Sequence, residues 1–406
     1  MRWNIYNVAW LGLLHCIVPA CYAEDFLPAT YGALPDDGID DTVGIHETLD
    51  AAAAAGGGRV LFTNGTFIVK RQSVESPILK IRSNITVEGQ GTNTILKFHD
   101  GVLTNNFWRM IGADVAEGHV SNINILNLKM DGRFGSPSYY SGSPEQNHGL
   151  FFYASGTNQS ISNVLISNIV TTGFSGDSIL VSYGCKGFII DKMIVGDFGR
   201  QGVSLAGGNG ANNYIVRNCI GIDTYTGWVP GGHTIHVEDG RGVSNILIVS
   251  NYCPQGMAVG SASDVTVRSN IIRHHLVGHS STNILTEFNT ITGDGLYAIS
   301  HGYCTNIVVQ SNTISNPYGM GVYLWGKTAY NTNMTRSVRL VGNSITTDSA
   351  AVQLNGVYYG IISNNSITTT AGPAVVVKRS ELIQYNGLTG ESGSASAAIV
   401  GTITVQ

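Results

Sequence analysis

Apolar residues along this chain come in short runs that alternate with polar ones, and most runs close on Asn, Ser, Gly or Asp. Such runs read as brief strands ended by turns. Many share one frame, an Asn next to an aliphatic residue at a turn. It appears in Ile125-Leu126-Asn127-Leu128, Ile166-Ser167-Asn168-Ile169, Val216-Arg217-Asn218-Cys219 and Val249-Ser250-Asn251, and again at Asn270-Ile271, Asn289-Thr290-Ile291, Asn312-Thr313-Ile314, Asn343-Ser344-Ile345 and Asn365-Ser366-Ile367. Successive Asn residues are 41, 50, 33, 19, 19, 23, 31 and 22 positions apart, and each of the first two intervals divides into two repeats. A period of about 20 to 24 residues with three short strands predicts a parallel β-solenoid. Its coils stack about 4.8 Å apart, with Ile, Val and Leu pointing inward and Asn laddering at the turns. About eleven or twelve coils would form a rod about 50 to 55 Å long.

A helix is predicted in one place. Asp40 and Asp41 precede Ile45, Leu49 and the alanines Ala51 to Ala55, and Gly56-Gly57-Gly58 ends the run. This is an N-capped amphipathic segment stopped by residues that tolerate positive φ. It would cover the open amino-terminal end of the stack. Strands are expected at Arg59-Val60-Leu61-Phe62 and Thr66-Phe67-Ile68-Val69, on either side of the turn pair Asn64-Gly65. The fold class is therefore all-β: a single right-handed parallel β-helix with a short amino-terminal capping helix, spanning residues 24–406.

Composition agrees with this pattern. Of 406 residues 51 are Gly and only 12% are charged, while 43% are hydrophobic, enough for a large core and too many for disorder. Lys and Arg number 22 against 27 Asp and Glu, a net charge of −5, so there is no basic footprint for nucleic acid. Residues 1–23 read as a cleaved secretory signal: Arg2, an apolar stretch from Val8 to Cys21, then Cys21-Tyr22-Ala23 before Glu24. No later segment approaches the roughly 20 apolar residues of a membrane span. Export is expected, to a secreted or extracytoplasmic location. The remaining cysteines, Cys185, Cys219, Cys253 and Cys304, form no CxxC pair, which speaks against zinc and leaves open either buried thiols or one or two disulfides. Cys219 and Cys253 would be the nearest pair.

The segment Tyr31-Gly32-Ala33-Leu34-Pro35-Asp36-Asp37-Gly38-Ile39-Asp40-Asp41-Thr42, the alanine helix, Gly56-Gly57-Gly58-Arg59-Val60 and Asn64-Gly65-Thr66-Phe67 resemble the amino-terminal region of the pectate-lyase-like superfamily, rhamnogalacturonases included. The resemblance implies a right-handed parallel β-helix that handles a polysaccharide in a groove along the rod, without fixing the reaction. Calcium dependence is left open. Asp36-Asp37 and Asp40-Asp41 look like a calcium site, but in this family pattern they start the cap helix, and no metal ligands are assigned.

Aligning one strand per coil by its inward aliphatics gives three outward columns. The first holds His148, Asp177, Gln201, His233 and Gln255. The second holds Phe151, Leu180, Ser204, His236, Ala258, Ala298 and Tyr323, and the third Tyr153, Ser182, Ala206, Glu238, Gly260, Ser300 and Trp325. Small residues flank His236 and Glu238, leaving a furrow in which both stand up. The layout resembles polygalacturonase-type hydrolases, with Gly176-Asp177-Ser178 and Gly232-His233-Thr234 matching two of their elements. Arg200-Gln201 stands where their paired carboxylates belong. Hydrolysis normally needs two carboxyls about 5 to 9.5 Å apart. Straight-strand geometry puts the Cα atoms of Asp177 and Glu238 about 10 Å apart axially and about 16 Å laterally.

What the columns do offer is Arg200 among His148, His233 and His236, next to Asp177. β-Elimination on a uronate needs a cation on the sugar carboxylate, a base for the proton beside it, and an acid for the leaving oxygen. Arg200 suits the first role through its planar fork, with Asp177 orienting it, and His233 or His236 the second. Alginate epimerases remove the same proton, but their Asp-Pro-His-Glu element is missing here, and His236-Val237-Glu238-Asp239 is only partly similar. Asp177, Arg200, His233, His236 and Glu238 are therefore the candidate catalytic residues. His148, Gln201, Asp239, Tyr153, Tyr323 and Trp325 are candidate substrate contacts. Residues 136–147 are expected to wall one side of the groove, with Tyr139 and Tyr140 toward sugar. The expected function is lyase-type cleavage of a uronate-containing glycan. Polygalacturonase-like hydrolysis and a noncatalytic exopolysaccharide-binding or adhesin solenoid are the alternatives.

Overall fold

The computed structural model describes residues 24–401 apart from 102, 105–106, 134–139, 142–143, 209, 223–231, 239–241, 327–333 and 387–399. The segments 1–23 and 402–406 thus lie outside the described residues. The chain is a right-handed parallel β-helix. One face is a 13-stranded sheet, so there are more coils than the repeat count predicts. The other two faces join into a 24-stranded sheet because the long strands His119–Asp131 and Ser160–Thr172 run around the corner between them. Among the described residues no helix is long and apolar enough to cross a membrane.

The helix Thr42–Ala54 forms where expected and buries Ile45, Leu49 and Ala52 against the first coil. Its capping differs in detail from the sequence reading. Asp40 Oδ1 accepts the Thr42 N–H at 3.1 Å, whereas Asp41 turns inward and accepts the Ile68 N–H at 2.7 Å. Gly56, Gly57 and Gly58 follow with φ of 89°, 131° and 159°, a left-handed exit that other residues take only under strain. The strands Gly58–Leu61 and Gly65–Val69 do not pair with each other. They pair with Ile85–Glu88 and Thr94–Phe98 of the next coil, which makes Asn64-Gly65 a coil corner rather than a hairpin turn.

Two features of the repeat depart from expectation. The 41-residue interval is a single coil, since His119–Asp131 pairs directly with Ser160–Thr172 and the surplus leaves as an excursion. The 50-residue interval does hold an extra coil, built on Cys185–Asp191. Conversely, the strand Leu276–His279 adds a coil between Met257–Gly260 and Tyr297–Gly302. Leu276 then pairs with Ile299, so Ser300 and Gly302 occupy the places the alignment gave to Ala298 and Ser300.

Asn residues ladder as expected, but in two separate columns. From Asn251 through Asn270, Asn289, Asn312 and Asn343 to Asn365, each buried Asn donates its backbone and side-chain N–H groups to the Oδ1 of the next, at 2.8 to 3.0 Å. Asn127, Asn168 and Asn218 sit one place earlier, in the left-handed region with φ of 56°, 57° and 56°. In their coils the inward turn position belongs instead to Leu128, Ile169 and Cys219, all buried.

Inward pairs such as Leu150/Phe152, Ile179/Val181, Val203/Leu205 and Ile235/Val237 are fully buried, and one apolar cluster runs from Phe26 to Ile383. Each such side chain contributes roughly 1.5 to 3 kcal/mol. Among the described residues all four cysteines are buried free thiols, so the Cys219–Cys253 bridge does not form.

Candidate active site

The outward residues of the 13-stranded face form the expected columns through the middle coils. Leu180 pairs with Ser204, Ser204 with His236 and His236 with Ala258, while Ala206 pairs with Glu238. Small neighbours leave His236 and Glu238 half-exposed on a shallow floor. Before each of these strands the chain bends. That bend carries Asp177 and Arg200 out of the straight-strand path and toward Glu238.

Arg200 is the hub. Its Nη1 donates to Asp177 Oδ2 at 3.0 Å and its Nη2 donates to Glu238 Oε1. Ser204 Oγ also donates to Glu238, at Oε2, 3.2 Å away. The two carboxylates thus share one guanidinium, although strand geometry had put them too far apart to meet directly. Asp177 is fully buried and the Arg200 side chain only 18% exposed, so this is an internal ion-pair network and not a surface salt bridge. Burial pushes the Asp177 carboxyl up to about 7, against the opposing charge of Arg200 and with further upward pressure from Glu238. Burial also works against the charge on Arg200, but Asp177 and Glu238 more than offset it and hold its pKa above the ordinary value.

His148 and Gln201 stand behind the groove rather than in it. His148 is fully buried, and its Nδ1 accepts the Asp177 N–H at 2.9 Å, which fixes the neutral tautomer with the proton on Nε2, facing Gln146 Oε1 at 3.4 Å. Burial, then the charges of Arg109 and Arg200, keep its pKa far below the usual imidazole range. Gln201 donates its backbone N–H to Asp177 Oδ1 at 3.0 Å and accepts the His233 N–H through Oε1 at 2.6 Å. Both therefore position their neighbours and do not line the floor.

His233 lies next to His236, with ring centroids 5.1 Å apart, and its Nε2 is 3.2 Å from the Nε2 of His275. Burial and then the nearby imidazoles push His233 down to about 3, so it is neutral at pH 7. His274 completes the chain through Nδ1, 2.7 Å from Asp294 Oδ1. In the sequence His274-His275 reads as a pair in a short coil with no acid nearby and so stays outside the candidate site; the structure sets Asp294 against His274 and His275 against His233. The alternation in Leu276-Val277-Gly278-His279 was the signal for the added coil.

The aromatic candidates separate. Tyr153 is 38% exposed and sits edge-on to Tyr183, with centroids 5.0 Å apart. Tyr323 and Trp325 lie on the same face four strands beyond Glu238, about 19 Å along the axis. The Trp325 indole packs over Gly302 of the preceding coil, where a Cβ would come within 2.3 Å of it, and donates from Nε1 to Ser300 Oγ at 3.1 Å, so it braces the neighbouring coil. Asp239, Tyr139 and half of the expected wall loop lie outside the described residues.

Residues 29–258 match the family model described as Rhamnogalacturonase A/epimerase, pectate lyase-like. The uncharacterized protein YclG of Bacillus subtilis is 24% identical over 392 residues, covering 90% of this chain and 62% of YclG. The mannuronan C5-epimerase AlgE3 of Azotobacter vinelandii is 37% identical over 110 residues, 27% of this chain and 6% of AlgE3. This chain thus spans less than two thirds of these relatives' length. Among solved structures, the A-module of the mannuronan C-5 epimerase AlgE6 of Azotobacter vinelandii superposes with a TM-score of 0.62 at 20% identity, over 94% of this chain and 98% of the module. Fold and family match agree: the chain belongs to the rhamnogalacturonase A/epimerase, pectate lyase-like family of polysaccharide-active parallel β-helices.

Proposed function

We propose that this protein is an exported enzyme that removes the proton next to the carboxylate of a uronate residue in a polysaccharide, and that β-elimination follows. The observation that carries this reading is Arg200, held by Asp177 and Glu238 at the edge of a floor on which His236 stands. A guanidinium fixed on two sides is a preorganised cation for the sugar carboxylate, and pairing with it makes the neighbouring C–H bond more acidic. The His236 imidazole takes that proton. As the C–H bond breaks, its electron pair forms the new double bond and the glycosidic C–O bond breaks, and the imidazolium returns its proton to the leaving oxygen. One base on one floor suits this same-side exchange. Protonation of Asp177 lowers the negative charge around Arg200, so an acidic substrate binds better below about pH 7 than above it.

A second reading, epimerisation, is favoured by the similarity to AlgE3. It shares the first proton transfer but needs a proton donor on the opposite face of the sugar. The two are separated by incubating the protein with polygalacturonate, alginate and neutral glycans while following ultraviolet absorbance and reducing ends together. Elimination raises both, and epimerisation raises neither but changes the uronate composition. Reducing ends without absorbance would mean hydrolysis and overturn both readings. An unchanged polymer across all acidic glycans would point to a binding module.

A further inference from the structure

Arg109 begins the strand Arg109–Ala113 and lies directly below His148 in the first column of the groove face. Its guanidinium carbon is 3.6 Å from the centroid of the Phe151 ring and 4.9 Å from that of Phe107. Its hydrogen bonds go to neutral acceptors: Nη1 to Ser76 Oγ at 3.2 Å and Nη2 to Gln146 Oε1 at 2.9 Å. Among the described residues no carboxylate pairs with it, and its buried Nε has no acceptor. Burial lowers its pKa to about 10, with the Tyr153 hydroxyl favouring the charge and Arg71, a like charge, opposing it, which leaves it charged at neutral pH. Arg200 and Arg133, the other well-buried arginines on this side, both have acidic partners. An uncompensated guanidinium in a partly dry site is costly unless something else supplies the counter-charge. Beside it, Phe151, Tyr153 and Tyr183 form a run of rings with centroids 5.7 and 5.0 Å apart, the two tyrosines each 38% exposed.

We propose that Arg109 is the centre of a second subsite, which binds the carboxylate of another uronate residue of the same chain while Tyr153 and Tyr183 pack against sugar. This rests on the uronate reading above and deepens it. Three strand spacings, about 14 Å, separate the Arg109 coil from the Arg200 coil, so one sugar ring does not reach both. The natural ligand is therefore an oligomer or polymer that carries more than one carboxylate.

The test is binding, independent of turnover. Calorimetric titration with oligomers of polygalacturonate and of alginate, and with their carboxyl-reduced forms, is carried out on the wild type, R109Q and R109K, with folding checked by circular dichroism. R109Q is expected to bind the acidic oligomers about tenfold more weakly, the loss of one charge-assisted hydrogen bond. Its binding to the carboxyl-reduced forms is expected to stay the same. R109K keeps the charge but loses the fork and the stacking, and is expected to fall between the two. Wild-type affinity for acidic oligomers in whichever of these variants folds overturns the Arg109 subsite and leaves the Arg200 reading standing. A wild type that binds neither acidic oligomer overturns both.

Discussion

Asp177 sets two forces against each other, and their balance can be measured. The ion pair with Arg200 favours the carboxylate, whereas complete burial and the nearby Glu238 favour the neutral acid. In the folded protein burial prevails and the pKa rises from 3.8 to about 7. The folded state then holds this proton more tightly than the unfolded chain does. Its stabilising contribution is complete below about pH 4, declines by about 1.4 kcal/mol per pH unit, and is gone above about pH 7, a total of about 4 kcal/mol. Asp177→Asn cannot titrate and has nearly the same shape, so it isolates this effect from every other ionisable group. Urea unfolding of both proteins from about pH 4 to about pH 8 gives the difference in stability at each pH. Wild-type stability relative to the variant is expected to fall across that window. A difference that grows with pH would mean that Arg200 holds Asp177 ionised, and would refute the claim that burial dominates.

Two further predictions concern the scaffold. Asn289→Ala removes the acceptor for both N–H groups of Asn270 and orphans the Val267 carbonyl, which should cost about 3 kcal/mol in urea unfolding; unchanged stability would show that the ladder contributes nothing. Cys185, Cys219, Cys253 and Cys304 are buried, with burial pushing Cys219 up to about 12 and Cys304 to about 11, so a thiol reagent should label none of these four in the folded protein and all four in denaturant; rapid native labelling of any of them would contradict the burial.

Much of the fold was legible because a solenoid writes its period into the sequence. Inward Ile, Val and Leu at alternate positions gave the register from Leu150 to Met257, and that register placed His236 and Glu238 side by side on one floor. Counting coils by Asn failed where the turn changes its chemistry. Leu128, Ile169 and Cys219 occupy the inward turn position that Asn251 and its successors hold later, so the visible Asn of the early coils marked a different site. The site was harder to read than the strands because half of it lies on bends. Asp177 and Arg200 precede their strands, and a bend of the backbone closes a gap that a straight strand would leave open. Arg109 drew no notice in the sequence because what matters about it is the lack of an acidic partner, which only the packed structure reveals.

The central claim is that the proton beside the uronate carboxylate leaves. Proton magnetic resonance of an acidic polysaccharide incubated with the protein in heavy water follows that proton directly. Elimination destroys its signal and epimerisation replaces it with deuterium, so in either case the resonance should decay with the wild type and persist with His236→Ala. If the polymer is cleaved while the resonance keeps its full intensity in every product, the C–H bond has not been touched and the account built on Arg200 and His236 is wrong.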